Sequence, residues 1–514
     1  MPRLLRVLPL IIVFLLIAIS YIMWGWSHEL SGMGGDSAGY LLAAQYYSPY
    51  QPSSAILAEY SRSIIYPPLF PWVLAILGGG ESILIAHLVV ISFLLMGMLV
   101  LYFWLRLESV SSWQSAAIVT LFALMPTTYL QSLDILTENV YLFFSLAALL
   151  CVRIASTSTN NKIWWLAAVA VACATLSRAA AVSLLGAFCL FVLLRRPKNY
   201  LGLIAFSVLP FLLWTIIGSK TAVGIAGYSP AWTGRLATSP FSTIVDQFIH
   251  SLPALVFTWE YSWLGDSQPL ASQLIVLIFG LVCIVGWLYR LKRLEFDGIY
   301  TAAYLLMLFA WSHPEPVRYS YALYPVLIAQ GFMLLNKSFA ASRNLKLIPT
   351  ATPAISIILL LAMLPTFVIN AGYFFEYIPP EIREGKHVPG WYDRNRSLAL
   401  VGAYGHVALI SHIKDIAKYV PENDCVYSIK PAVITLYSRR SSLRPPLVDT
   451  DEQAFWQGMQ KCRYVYVLPF ASSSYGEVFY PLHRLGASAK IISVMKVDSN
   501  SNLQPIGILL EIVK

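Results

Sequence analysis

The sequence predicts a bundle of membrane-spanning α-helices followed by a small α/β domain. Three observations predict it. Of 514 residues, 58% are hydrophobic and only 12% charged, about half the charge density of a soluble domain. Mean hydropathy is +0.65, and apolar runs of roughly 20 residues, the length that crosses a bilayer, recur through the first two thirds. After Asn370 the composition turns polar and strand-like runs begin.

Taken in order, crossings are expected near Leu5–Trp24, Ile83–Leu105, Trp113–Leu133, Val140–Ala155, Ile163–Ala180, Val182–Leu194, Tyr200–Ile217, Leu274–Leu288, Ile299–Trp311, Tyr319–Leu335 and Leu347–Ile369. That makes about eleven. The first resembles a signal peptide, but its apolar run is long and no small-x-small site follows, so it reads as an uncleaved span. Basic residues gather in alternate short loops: Arg3 and Arg6, Arg106, Arg153 and Lys162, Arg195-Arg196-Pro197-Lys198, Arg290-Leu291-Lys292-Arg293, then Lys337, Arg343 and Lys346. This is the positive-inside pattern of a multi-pass plasma (inner) membrane protein with a cytoplasmic N-terminus. The net charge of +9 therefore records topology and excludes a nucleic-acid partner. The aromatic fraction of 14% suits interfacial anchoring.

The remaining segments are expected outside. Ser27–Ser82 contains two short amphipathic stretches, Tyr40–Tyr47 and Pro67–Leu77, that read as interfacial helices. Asp134–Asn139 is a turn, Gly218–Ser272 a long loop, and Ser312–Arg318 a stiff Pro-x-Pro turn. The chain thus divides into a membrane module, residues 1–370, and an extracytoplasmic α/β domain, residues 371–514. In that domain Val401–Tyr419 reads as a helix, and Cys425–Ile429, Arg463–Leu468, Ile491–Val497 and Ile506–Val513 as strands. Cys425 and Cys462 lie where an oxidising compartment permits a disulfide, but two cysteines alone do not fix its geometry. Cys151, Cys173, Cys189 and Cys283 sit in or beside spans as packing residues.

The polar residues at the outer ends carry the chemistry. Asp36, in Gly34-Gly35-Asp36-Ser37-Ala38-Gly39-Tyr40, lies where a carboxylate meets both water and lipid; it also reads as a helix cap. Glu138 opens a helix, where a carboxylate suits the dipole. Arg62 and Tyr66 precede Pro67-Pro68-Leu69-Phe70-Pro71-Trp72; the arginine suits a phosphate or a lipid headgroup. His313, Glu315, Arg318, Tyr319 and Tyr321 form the densest polar cluster beside the membrane, and Arg178 joins that end of the bundle. For Arg318 the alternative is snorkelling to the interface; for Arg178 it is a structural ion pair. Together these residues suit a lipid-linked phosphate held by arginines, with a carboxylate to deprotonate an acceptor hydroxyl.

These motifs resemble the integral-membrane glycosyltransferases of the GT-C fold, in particular the protein O-mannosyltransferase and aminoarabinose lipid A transferase (glycosyltransferase 39-like) group. Asp36-Ser37-Ala38-Gly39-Tyr40, Tyr66-Pro67-Pro68-Leu69-Phe70-Pro71, Leu136-Thr137-Glu138-Asn139 and Arg318-Tyr319-Ser320-Tyr321-Ala322-Leu323-Tyr324-Pro325 carry the resemblance, with Lys430-Pro431-Ala432-Val433 and Tyr437-Ser438-Arg439-Arg440 in the tail. The resemblance implies a polyprenyl-phosphate sugar donor, inverting transfer on the outer face, and a glycan, lipid or protein acceptor. Carried over, Asp36 and Glu138 are the catalytic carboxylates. Arg62, Arg318, His313 and Tyr66 hold the donor phosphate, with Arg178, Glu315 and Tyr319 as secondary candidates. Some members of the wider fold use a divalent cation; the first loop offers Asp36 without an acidic neighbour, so the metal stays unknown.

The rival class is a transporter or flippase of a lipid-linked or anionic solute. Transporters place their sites near the bilayer midplane in repeated halves with broken helices. Here the ionisable residues cluster at one boundary and no repeat is visible. Cysteines introduced at Arg196 and Lys292 are expected to label from the cytoplasm, and at Ser229 and Ser473 from outside. Protection of Ser473 from an impermeant reagent in intact cells removes the argument for an outer site.

Overall fold

Prolines and polar turns divide the apolar runs into helices whose ends decide where charged side chains lie. The computed structural model describes residues 2–31, 34–63, 66–221, 240–265, 269–310, 316–341, 353–368, 408–468, 479–499 and 502–513. The chain divides into two units. One comprises Met1–Trp26, Arg62–Val73 and His87–Tyr377; the other comprises Ser27–Ser61, Leu74–Ala86 and Ile378–Lys514.

The first unit is helical. Its elements include α1 (Pro2–Trp24), α5 (Ile83–Leu107), α6 (Ser112–Leu124), α7 (Pro126–Leu133), α8 (Glu138–Thr157), α9 (Lys162–Ser177), α10 (Val182–Arg195) and α11 (Tyr200–Thr221). Helices Pro240–Leu264, Leu270–Lys292, Phe296–Ala310, Pro316–Ser320 and Tyr324–Ala341 follow. Among the described residues four helices are long and apolar enough to cross a membrane: Ile83–Leu107, Glu138–Thr157, Tyr200–Ile217 and Leu270–Lys292. Five further apolar helices are shorter: Ile11–Trp24, Lys162–Ser177, Ala179–Arg195, Phe296–Phe309 and Pro353–Val368. Helices Leu270–Lys292 and Tyr324–Ala341 pack closely because glycines face the contact. A Cβ on Gly286 would come within 2.4 Å of the Gln330 carbonyl oxygen, and one on Gly331 within 2.7 Å of Cys283 Sγ.

Two sequence expectations are corrected here. The expected span Trp113–Leu133 is not one helix: α6 and α7 meet at a 62° bend. Pro126 supplies no N–H to continue α6 and pushes Met125 into extended backbone, ψ 133°. Thr128 Oγ1 donates to the Phe122 carbonyl at 2.7 Å, beside the Met125 amide that also donates to it at 3.3 Å. The Gly218–Ser272 segment is not simply a loop, since Pro240–Leu264 is a 25-residue helix. Asp246, Pro253 and Glu260 obscured its apolar face. That face carries buried Trp259 and Trp263, and Trp259 Nε1 donates to the Val276 carbonyl at 3.0 Å.

The second unit is built on a five-stranded sheet in the order β2-β1-β3-β5-β4. The strands are β1 (Cys425–Tyr427), β2 (Ser441–Leu443), β3 (Tyr464–Val467), β4 (Ala489–Ser499) and β5 (Asn502–Ile512). β1 runs parallel to β2 and β3, while β5 is antiparallel to β3 and β4. Helix Pro431–Ser438 connects β1 to β2, the crossover a parallel pair requires. Neither β2 nor that helix is evident in the sequence, because the strand has three residues and the helix eight. Of Val401–Tyr419, residues 408–415 are helical and Ile416–Lys418 form a 3₁₀ turn. His412 bridges the Tyr466 hydroxyl at 2.8 Å and Ser493 Oγ at 2.9 Å, tying that helix to the sheet.

Segments from early in the chain complete this unit. They include α2 (Gly35–Tyr47), α3 (Ala55–Ser63) and the end of α4 (Leu69–Ile76). Helix Pro431–Ser438 packs on α2. The Leu30 amide donates to Tyr437 Oη at 3.1 Å, Lys414 pairs with Glu29 at 2.9 Å, and Arg439 Nη1 donates to Gln45 Oε1 at 2.8 Å.

Cys425 and Cys462 are disulfide-bonded, closing a loop of 37 residues. A closed loop of that length restricts the unfolded chain by about 3–4 kcal/mol. Replacing both cysteines with serine is expected to lower the denaturation midpoint of the full-length protein in detergent accordingly. An unchanged midpoint under non-reducing conditions shows that the bond contributes nothing.

Candidate active site

The α6–α7 bend, the α9–α10 break and the short helix Pro316–Ser320 bring three charges together in the helical unit. Glu138 begins α8 and is 1% exposed. Arg178 is the extended residue that ends α9, φ −154°, before a 3₁₀ turn leads into α10. Arg318 lies in Pro316–Ser320. Both guanidinium groups pair with the same oxygen, Glu138 Oε1: Arg318 Nε donates a hydrogen bond to it, while Arg178 Nη1 meets it as an ion pair without a hydrogen bond. Glu138 Oε2 is buried without a hydrogen bond. Tyr319 stands under both cations, its ring centroid 4.9 Å from Arg178 Cζ and 5.9 Å from Arg318 Cζ, a cation–π geometry.

A polar network fixes the carboxylate's surroundings. Asn139 Nδ2 donates to the Gln131 carbonyl at 3.0 Å, and Tyr321 Oη donates to Asn139 Oδ1 at 2.8 Å. Tyr304 Oη donates to the Tyr319 carbonyl at 2.7 Å, holding the turn that presents Arg318. The positive end of the α8 dipole also faces Glu138. One carboxylate oxygen thus draws two arginines to the same place. Arg178 has 8% of its side chain exposed and Arg318 has 16%, so Arg318 is the more accessible cation. Guanidinium groups recognise anions through charge-assisted, paired N–H donors.

Asp36 belongs to the second unit and lies half-buried in the first turn of α2. It does not cap the helix: Gly34 is the N-cap, and no side chain caps it. Its acidic charge still suits the helix N-terminus. Burial, followed by the Asp36 charge, pushes the Tyr60 phenol up, while Arg444 pulls it down. Asp36, Tyr60 and Arg444 therefore share one electrostatic neighbourhood. The Lys430 stem passes Gly35, 3.8 Å from where a Cβ would stand.

Of the other sequence candidates, Arg62 lies in α3 and Tyr66 is half-buried just before α4. His313 and Glu315 lie outside the described residues. Sequence reasoning missed Asn139, Tyr304, Tyr60 and Arg444. Asn139 was legible as the neighbour of Glu138, whereas Tyr60 and Arg444 are linked only by the fold. Among the described residues no three His, Cys, Asp or Glu side chains gather to hold a metal ion. The Glu138 carboxylate, bound by two cations, does not fit a metal ligand.

Glu138→Gln removes the carboxylate shared by buried Arg178 and half-buried Arg318. Breaking such a group from one side typically costs about 3–5 kcal/mol. A marked fall in the thermal midpoint in detergent is expected. A midpoint within a degree of wild type shows that the carboxylate does not hold the two arginines.

No protein-family model and no curated protein matches the sequence. Solved structures do match. ArnT from Cupriavidus metallidurans in the apo state aligns with a TM-score of 0.52 and 12% identity, covering 97% of this chain and 97% of that one. ArnT from the same organism bound to undecaprenyl phosphate aligns with a TM-score of 0.50 and 12% identity, covering 99% and 98%. The chain has the GT-C fold that its motifs resemble: a polytopic helical bundle with a small C-terminal sheet domain.

Proposed function

We propose that this protein is a membrane glycosyltransferase that moves a hexosyl or pentosyl group from a polyprenyl-phosphate donor to an acceptor on the outer face, with inversion. The observation that carries the reading is the convergence of two arginines, Arg178 and Arg318, on Glu138. It occurs in a fold shared with a protein whose structure holds undecaprenyl phosphate. The Cys425–Cys462 disulfide suits an extracytoplasmic location for the tail, as does the positive-inside loop pattern. The acceptor is a glycan, lipid or protein bearing a nucleophilic hydroxyl or amine.

In this reading Arg318, with Arg178 behind it, pairs with the donor phosphate, and Arg62, Tyr66 and His313 are its further ligands. Asp36 takes the proton from the acceptor. The acceptor atom bonds to the anomeric carbon from the face opposite the phosphate as the carbon–oxygen bond to phosphate breaks. The electron pair leaves with polyprenyl phosphate, whose added charge the arginines stabilise. Glu138, already bound by both arginines, acts as their counter-ion and positions them, leaving Asp36 as the base.

The test incubates purified protein with a panel of undecaprenyl-phosphate sugars and follows release of undecaprenyl phosphate. Release with at least one donor is expected; none across the panel, with folded protein, overturns the reading. Asp36→Asn keeps the side chain's size at a position that does not cap α2 but removes the base, so the thermal midpoint should hold within a few degrees while turnover falls roughly 10²–10⁴-fold. Near-normal turnover removes Asp36 from the chemistry. Arg318→Lys keeps the charge but loses the planar paired donors, so donor KM should rise more than protein level falls. An unchanged KM assigns Arg318 to interfacial anchoring instead.

A further inference from the structure

The helical unit has a second polar centre at its other end. Arg153 lies 15 residues along α8 from Glu138, about 22 Å at the α-helical rise. There a cavity of about 400 Å³ opens among the end of α8, the start of α9, the end of α10 and the turn before helix Phe296–Ala310. Its walls include Trp104, Trp164, Phe191 and Phe296, all buried.

The acidic groups of this cavity are already engaged. Glu108 Oε1 meets Arg153 Nε at 3.0 Å, and Glu108 Oε2 meets Arg290 Nη1 at 3.0 Å. Asp297 is held by Arg290 Nη2 at 2.5 Å and by Gln330 Nε2 at 2.9 Å. Glu295 lies 3.7 Å from Arg293. Arg195, which also lines the cavity, is different. Its guanidinium lies 5.3 Å from the Phe191 centroid and pairs with no carboxylate among the described residues. Lys162, Arg196 and Lys198 flank the lining residues Asn161, Arg195 and Pro197. All three are exposed, and none is ion-paired among the described residues. The mouth is cationic while the interior is charge-compensated and aromatic.

We propose that this cavity binds a phosphate-bearing anion, separately from any donor site at the Glu138 end. Arg195 supplies paired N–H donors to the phosphate, and the surrounding cations raise its local concentration. The aromatic walls accept the apolar part of the molecule that carries it. Basic pockets between membrane helices take anionic lipid headgroups on this basis; a phosphorylated solute offers the same group. The site does not depend on the glycosyltransferase reading.

The test uses full-length protein, delipidated in a nonionic detergent. Its thermal midpoint is followed during titration with dioleoylphosphatidylglycerol, dioleoylphosphatidylcholine or inorganic phosphate. A saturable rise with phosphatidylglycerol and none with phosphatidylcholine is expected. Arg195→Ala should weaken the apparent affinity about fivefold or more. Lys490→Ala, which removes an exposed cation of β4, should leave the response intact. A rise with inorganic phosphate that Arg195→Ala removes assigns a soluble phosphate; a rise with phosphatidylglycerol alone assigns the lipid. Arg195 is exposed, so its truncation spares the core; if that variant melts early, Lys198→Ala is read in the same titration. A response to neither anion, or one unchanged in the folded variant, overturns the proposal.

Discussion

Two guanidinium groups sharing one buried carboxylate set the terms for the helical unit. Removing three charges from water is expensive, and only close, mutually fixed partners offset it. The chain supplies that fixity from separate breaks in its helices. Arg178 stands where α9 ends, Glu138 where α8 begins, and Arg318 on a short helix held through Tyr319 and Tyr304. The α6–α7 bend contributes through Gln131, whose carbonyl anchors Asn139 beside Glu138. These interruptions are therefore what allow charged groups to meet inside an apolar bundle.

The other end of the bundle repeats the arrangement with a different balance. Glu108 also receives two arginines, Arg153 and Arg290. There Arg290 additionally holds Asp297, so the four groups sum to zero. At the Glu138 group Arg178 and Arg318 share the one oxygen Oε1. A shared carboxylate thus ties arginines from separate segments together at each end.

The fold class was legible because apolar run length and loop charge report directly on a helical membrane bundle. The individual helices were less so. Periodicity does not register a proline bend such as Met125–Pro126, and Asp246, Pro253 and Glu260 masked the helix that buries Trp259 and Trp263. The tail's longer strands were visible, but β2 has too few residues to show a pattern. At the candidate site, residue type and position in turns singled out Glu138, Arg178 and Arg318. Their sharing of one oxygen was not legible, because the residues are separated by 40 and 140 positions. Tyr60 and Arg444 were missed for the same reason: neither belongs to a motif, and only tertiary packing brings their charges to bear together.

The second unit unites residues made at very different times. Glu29 pairs with Lys414 across 385 positions, Leu30 meets Tyr437 across 407, and Gln45 meets Arg439 across 394. At roughly 5–20 residues per second, a ribosome needs on the order of 20–80 s to cover that interval. Throughout that time the segment carrying Asp36 has no tail to pack against. Its final form is a late product of biosynthesis, completed only after the helices between have been made. A stop codon between Tyr324 and Lys414 would leave a protein with every element of the Glu138 cluster but without the partners that hold the Asp36 segment.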